Sequence, residues 1–144
     1  MLEELRRMAG PTVEVLGQQS FDVLKDHYAR CQALIFPGEE DFGMVPVEAM
    51  ASGRPVIAFR RGGAMETVVD GETGLFFEEQ SVEAIASAVQ RFQSFTVDSV
   101  KISEHARRFA KDHFLTKFKF HVDTLMEARR SATSPQTPSQ SRVL

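Results

Sequence analysis

An α/β fold, a parallel sheet flanked by helices, is what this sequence predicts, on three observations. Residues 33–36 and 55–59 are apolar runs without polar alternation, the mark of strands buried on both faces. Between them, Pro46 and Gly53 give the start and stop signals of a short helix. Further helical patterns follow, and strands that alternate with helices imply a parallel sheet with right-handed crossovers. Ligands of such sheets bind beyond the C-terminal strand ends, so the loops after Phe36 and Phe59 form the functional rim.

The elements follow in order. Residues 2–8 read as a charged amphipathic helix end stopped by Gly10-Pro11. Residues 13–16 read as a short strand. Ser20 is placed to cap a helix running to about Arg30, with Phe21, Leu24, Tyr28 and Cys31 on one face. After the strand at 33–36, Pro46 fits the first position of the next helix, whose apolar stripe is Val47, Met50 and Ala51, with Glu48 off it in the first turn. The strand at 55–59 leads to Gly62-Gly63 and a single helical turn at 64–68. Asp70-Gly71 and Thr73-Gly74 bracket a turn before a last strand at 75–77. Three closing helices are expected. The first, capped near Ser81, turns Val82, Ile85, Ala86, Val89 and Phe92 inward. The second, capped at Asp98 or Ser99, turns Ile102, Ala106, Phe109 and Ala110 inward. The third, residues 115–128, turns Phe118, Val122, Leu125 and Met126 inward. Residues 131–144, rich in Ser, Thr, Pro and Gln, read as a disordered tail behind a domain spanning residues 1–130.

The chain of 144 residues is long enough for one domain with a core that needs no disulfide. A net charge of -3 is no nucleic-acid footprint, which would need a basic face. Arg60-Arg61 and Arg129-Arg130 read as solvated surface. The single cysteine, Cys31, fits a reducing compartment and reads as a small buried hydrophobe rather than a nucleophile. No apolar run approaches the roughly 20 residues of a membrane span. We read the chain as cytoplasmic, working in solution or at the inner face of the membrane. His27, His105, His113 and His121 show no metal-ligand spacing. Without a Walker loop or a G-x-G-x-x-G fingerprint, NTPase and NAD chemistry are disfavoured.

The rim carries the chemistry. Glu40 lies in the loop after the first buried strand, and Glu48 in the helix that follows. Unpaired amides and the positive dipole end at that helix start suit a phosphate, and Gly43 permits close approach of a ligand to the backbone. A carboxylate at Glu48 can accept hydrogen bonds from two adjacent hydroxyls such as a ribose diol, about 1.5–3 kcal/mol each. A ligand with hydroxyls and phosphates fits, and a nucleotide-sugar is one. Against this stands a plainer reading: a helix-start glutamate that only complements the dipole, and a Gly62-Gly63 that is only a tight turn.

Residues 36–58, including Pro37-Gly38-Glu39-Glu40-Asp41-Phe42-Gly43-Met44-Val45-Pro46-Val47-Glu48-Ala49-Met50-Ala51-Ser52-Gly53, closely resemble the donor-site signature of retaining glycosyltransferases of family four (glycosyl transferases group 1), which have the GT-B fold. Residues 62–75 and 13–31 resemble the same C-terminal, Rossmann-like domain. The resemblance implies that Glu48 holds the ribose of a UDP-, GDP- or ADP-sugar, and that Glu40 contacts the donor sugar and helps place it, as the candidate catalytic residue. It implies that the backbone of Phe42, Gly43, Met44 and Val45 meets sugar and diphosphate, with Gly62 and Gly63 as a further donor loop. It also implies hexose transfer with retention, as in polysaccharide biosynthesis, with no metal or other cofactor.

Members of that family carry an N-terminal acceptor domain, and a strand and helix that supply cations to the diphosphate, upstream of the stretch matched here. The chain therefore reads as an incomplete donor domain. It would be inactive alone, prone to self-association, and completed by the missing half in cis or in trans. The alternatives are a non-catalytic nucleotide-sugar-binding module and a GT-B sugar epimerase.

Overall fold

The computed structural model describes residues 1–133. Its elements are α1 (Leu2–Met8), α2 (Phe21–Arg30), β1 (Leu34–Phe36), α3 (Met44–Ala51), β2 (Val56–Phe59), α4 (Ala64–Thr67), β3 (Gly74–Phe77), α5 (Val82–Phe92), α6 (Ser99–Ala106), a 3-10 turn (Arg107–Phe109) and α7 (Lys111–Thr133). Contacts divide the chain into one unit spanning Met1–Arg107 and a second that begins at Arg108.

The first unit is a parallel sheet in the order β1-β2-β3. β2 is central and buried throughout. Its side chains alternate between two cores, as period-2 geometry requires. Val56 and Ala58 join Phe36, Met50, Phe76, Ile102 and Ala106 under α3, α4 and α6. Ile57 and Phe59 join Phe77 and Ala88 under α5, with the Phe59 and Phe77 rings stacked 5.8 Å apart. The expected strands at 55–59 and 75–77, the single turn at Ala64 and the caps Ser20, Ser81 and Asp98 are all present.

Several expectations are corrected. Residues 13–16 form no strand. β-rich composition makes a strand only where a neighbour can take its hydrogen bonds, and the sheet ends at β1. For the same reason β1 is not buried on both faces: Ile35 is 45 % exposed. On α2, Phe21 stays largely exposed, because the helix meets α3 near Tyr28 rather than along its whole face. On α3, Pro46, Ala49 and Met50 are buried and Ala51 is not. On α5 the inward line is Ala84, Ile85, Ala88 and Phe92, of which Ala88 is buried and the others half-buried, with Val82, Ala86 and Val89 turned out. Small alanines let this helix approach the sheet closely, and that selects one of the two apolar stripes its sequence offers.

Taken by itself, α7 exposes Phe118, Val122, Leu125 and Met126, against the inward face expected for them. It begins before residue 115 and continues to Thr133, three residues into the stretch read as tail. The rest of that stretch lies outside the described residues. No helix among the described residues is long and apolar enough to cross a membrane.

Ile102, fully buried between α6 and the sheet, should cost about 2–5 kcal/mol when replaced by Ala. Val82→Ala should change stability by less than about 0.5 kcal/mol. Urea unfolding of the two variants measures both, and a comparable loss in each would contradict the packing assigned to α5.

Candidate functional site

β1 and β2 run in register, Phe36 beside Ala58, so the loops that follow them leave the sheet side by side. They are in direct contact. The Gly63 amide donates to the Glu40 carbonyl at 2.7 Å. A Cβ on Gly63 would fall 2.3 Å from the Phe42 backbone, and one on Gly62 would fall 2.4 Å from the Glu40 carbonyl oxygen. Gly62 is also left-handed, at φ 56. Both glycines are therefore structural requirements of the rim. The start of the first loop is pinned from elsewhere: Gln80 Nε2 donates to the Pro37 carbonyl at 2.7 Å.

The first loop ends at Gly43, the N-cap of α3, in the left-handed region at φ 75. That conformation turns the chain into a helix two residues before the expected start. Pro46 is consequently the third helical residue, which it tolerates because amides of the first turn have no intrahelical partner. The amides left without such a partner are those of Gly43, Met44 and Val45. Met44 is exposed and Val45 half-buried. At the far end Gly53 (φ 73) donates to the Met50 carbonyl at 2.8 Å and Arg54 to that of Ala49 at 3.0 Å. This double bond pattern is a Schellman stop.

The earlier start also moves Glu48 from the first turn to the second, about 6 Å along the axis from Met44. Capping is thereby removed as its role. Glu48 is half-buried and its Oε2 accepts from the Tyr28 hydroxyl of α2 at 3.3 Å. It lines a cleft of about 320 Å³ between α2 and α3 with Phe21, Lys25, Tyr28, Ala51 and Ser52. Burial, followed by the Glu48 charge and this hydrogen bond, holds the Tyr28 phenol above the usual phenol range. Glu40 and Phe42, by contrast, are exposed. The structure thus joins Glu40, Phe42, Gly43, Gly62 and Gly63 in one pair of touching loops, and sets Glu48 in the cleft further along α3.

Other side chains resolve into structural roles. Arg60 is not simply solvated. It donates to Glu78 at 2.6 Å and Asp70 at 2.5 Å and lies over the Phe76 ring, 4.5 Å from its centre. Burial pushes the Cys31 thiol upward, away from reactive thiolate, and it donates to the Tyr28 carbonyl at 3.4 Å. His105 Nε2 lies 2.7 Å from the Thr67 carbonyl, joining α6 to α4. Helical periodicity puts Tyr28 on a packing face, and the Tyr28-Ala29-Arg30 run belongs to the family resemblance of residues 13–31, but neither gives its hydroxyl a role. The available signal was compositional: the chain holds 12 Phe and one Tyr, so the one hydroxylated ring marks a place where a ring with a polar tip is used.

Two measurements follow. Gly63→Ala should separate the loops, shifting the amide resonances of residues 40–43 while far-ultraviolet dichroism stays unchanged; unmoved resonances would contradict the contact. Tyrosinate absorbance reads Tyr28 alone, and its midpoint should lie above the ordinary value of about 10. Because the folded value is raised, the stability that Tyr28 contributes is present below about pH 10 and lost as pH rises through the raised value. A midpoint at or below 10 would refute it.

Comparison with known proteins gives a consistent result. The family model described as glycosyl transferases group 1 matches residues 2–110. The alpha-1,3/1,6-mannosyltransferase ALG2 of Dictyostelium discoideum is 35% identical over 99 residues, covering 67% of this chain and 23% of that protein. Sucrose-phosphate synthase of Thermosynechococcus elongatus superposes with a TM-score of 0.75 at 30% identity, over 88% of this chain and 34% of that one. Anabaena HepE, solved in complex with UDP-glucose, gives a TM-score of 0.64 at 27% identity, over 88% and 36%. The chain spans about a quarter of the length of the curated relatives it matches and about a third of these solved chains. It belongs to the glycosyl transferases group 1 family and has the fold of the C-terminal domain of GT-B glycosyltransferases.

Proposed function

We propose that the chain is the donor-binding part of a retaining glycosyltransferase that moves a hexose from a nucleotide-diphosphate sugar to a glycan, lipid or small-molecule acceptor. One observation carries the reading: partnerless amides at the start of α3 and a half-buried carboxylate at Glu48 about 6 Å along the same helix. The complex of UDP-glucose with HepE, a structural neighbour, supports a ligand of this class. Glu48 accepts hydrogen bonds from the ribose diol, the amides of Gly43, Met44 and Val45 face the diphosphate, and Glu40 meets the donor sugar. The Gly62-Gly63 loop keeps Glu40 in place through the backbone bond to its carbonyl.

In the transfer step the bond from the anomeric carbon to the diphosphate oxygen breaks, and its electron pair leaves with the phosphate. The acceptor oxygen bonds to the same face of that carbon, and its proton passes to the departing phosphate. No metal enters this scheme. The α3 N-terminus stabilises the charge gathering on the leaving group, since fixed dipoles aimed at developing charge need no reorganisation. The acceptor site belongs to an N-terminal half, joined to this domain or supplied by a separate chain. Without that half, the domain would bind donor but not turn it over.

Titration of the chain with UDP-, GDP- and ADP-glucose, followed by amide resonances, should shift those of Gly43, Met44 and Val45 for one base in preference to the others. Glu48→Ala should weaken binding by at least about ten-fold, the value of one charge-assisted hydrogen bond. An undiminished response in Glu48→Ala would remove Glu48 from the site.

A further inference from the structure

We infer that Tyr28 is a positioning residue: its hydroxyl, carried on α2, holds the Glu48 carboxylate of α3 in the orientation from which it accepts a ribose diol. The inference rests on the donor-site reading above. A glutamate side chain turns about three bonds, and the ion pairs among the described residues do not include Glu48. The Tyr28 hydroxyl, 3.3 Å from Oε2, is the donor that orients it. A neutral donor does this without cancelling the charge. It occupies one of roughly four acceptor positions on a carboxylate and leaves the rest for ligand hydroxyls.

Tyr28 is itself well fixed. Its ring packs against the buried cluster beneath α3. The backbone at Tyr28 and at the next residue is tied down. Arg54, directly after the Schellman stop of α3, donates through Nε and Nη2 to the Ala29 carbonyl at 3.0 and 2.5 Å. Cys31 donates to the carbonyl of Tyr28. The C-terminal end of α3 therefore clamps the end of α2, and α2 returns a hydroxyl to the middle of α3. Phenylalanine fills the same packing volume and lacks that hydroxyl, and it is the residue this chain uses elsewhere, 12 times. Glu48 on α3 and the Cys31 thiol act on Tyr28, and Lys25 of its own helix lines the same cleft.

The test uses the full chain with Tyr28→Phe and Glu48→Gln, and two probes: UDP-glucose and its 2′,3′-dideoxyribose counterpart, with the GDP or ADP pair in their place if that base binds. Tyr28→Phe should weaken binding of the diol-bearing probe about three- to ten-fold and leave the dideoxy probe unchanged. Equal losses on both probes would mean that the ring only packs, and would overturn the inference. Weakening in Glu48→Gln alone, with Tyr28→Phe unaltered, would overturn it while sparing the donor-site reading. An undiminished Glu48→Gln, or no response of the unmodified chain to any of the three nucleotides, would overturn both. Independently of any ligand, the tyrosinate midpoint of Tyr28 should fall in Glu48→Gln; an unmoved midpoint would show that the contact is absent and would overturn the inference.

Discussion

A side chain on Gly63 would place its Cβ 2.3 Å from the backbone of Phe42, and that close approach is the constraint on which the rest of the rim depends. Parallel pairing of β1 with β2 brings their C-terminal ends together. The loops leaving those ends must then either splay or lie on one another. Two glycines allow the second outcome, and the Gly63 amide fixes it by bonding to the Glu40 carbonyl. With the first loop held there, Gly43 turns in the left-handed region and α3 begins at the rim. The placement of the free amides and of Glu48 follows from where that helix starts.

Both ends of α3 are set by backbone geometry rather than by side-chain caps: a left-handed glycine at the start and a Schellman stop at the finish. The helix is consequently defined to the residue, which matters because each residue of shift rotates Glu48 by about 100° around the axis. Its burial beneath Pro46, Ala49 and Met50 then leaves Glu48 facing α2. In turn α2 is bound to α3 through Arg54 and Tyr28. The two helices form a frame in which a carboxylate and a hydroxyl meet at the wall of an open cleft.

Most of this was legible in the residues. Period and apolarity located β2 and β3, and serine and aspartate marked three helix starts. The family signature pointed to the rim residues. What failed did so for identifiable reasons. Pro46 suggested a helix start two residues late, because proline is tolerated throughout the first turn and only the conformation of Gly43 decides the start. Residues 13–16 looked like a strand, but strand formation depends on a partner that local sequence does not encode. The apolar residues of α5 offered two stripes, and the choice rested on how closely alanine lets a helix approach. Tyr28 was read as packing because a periodicity argument counts rings and overlooks hydroxyls. Arg60 was read as solvated because Asp70 and Glu78 lie 10 and 18 residues away along the chain.

In the donor site proposed above, Glu48 holds a ribose diol beside the first amides of α3. Isotope-edited nuclear Overhauser contacts from bound UDP-glucose to the chain test it most directly, with the GDP or ADP donor substituted if that base binds. Contacts are expected from the ribose protons to the Tyr28 ring, and from the sugar to the Met44 methyl group. Ribose contacts to the Arg60–Phe76 region instead, with none at Tyr28, would contradict this placement.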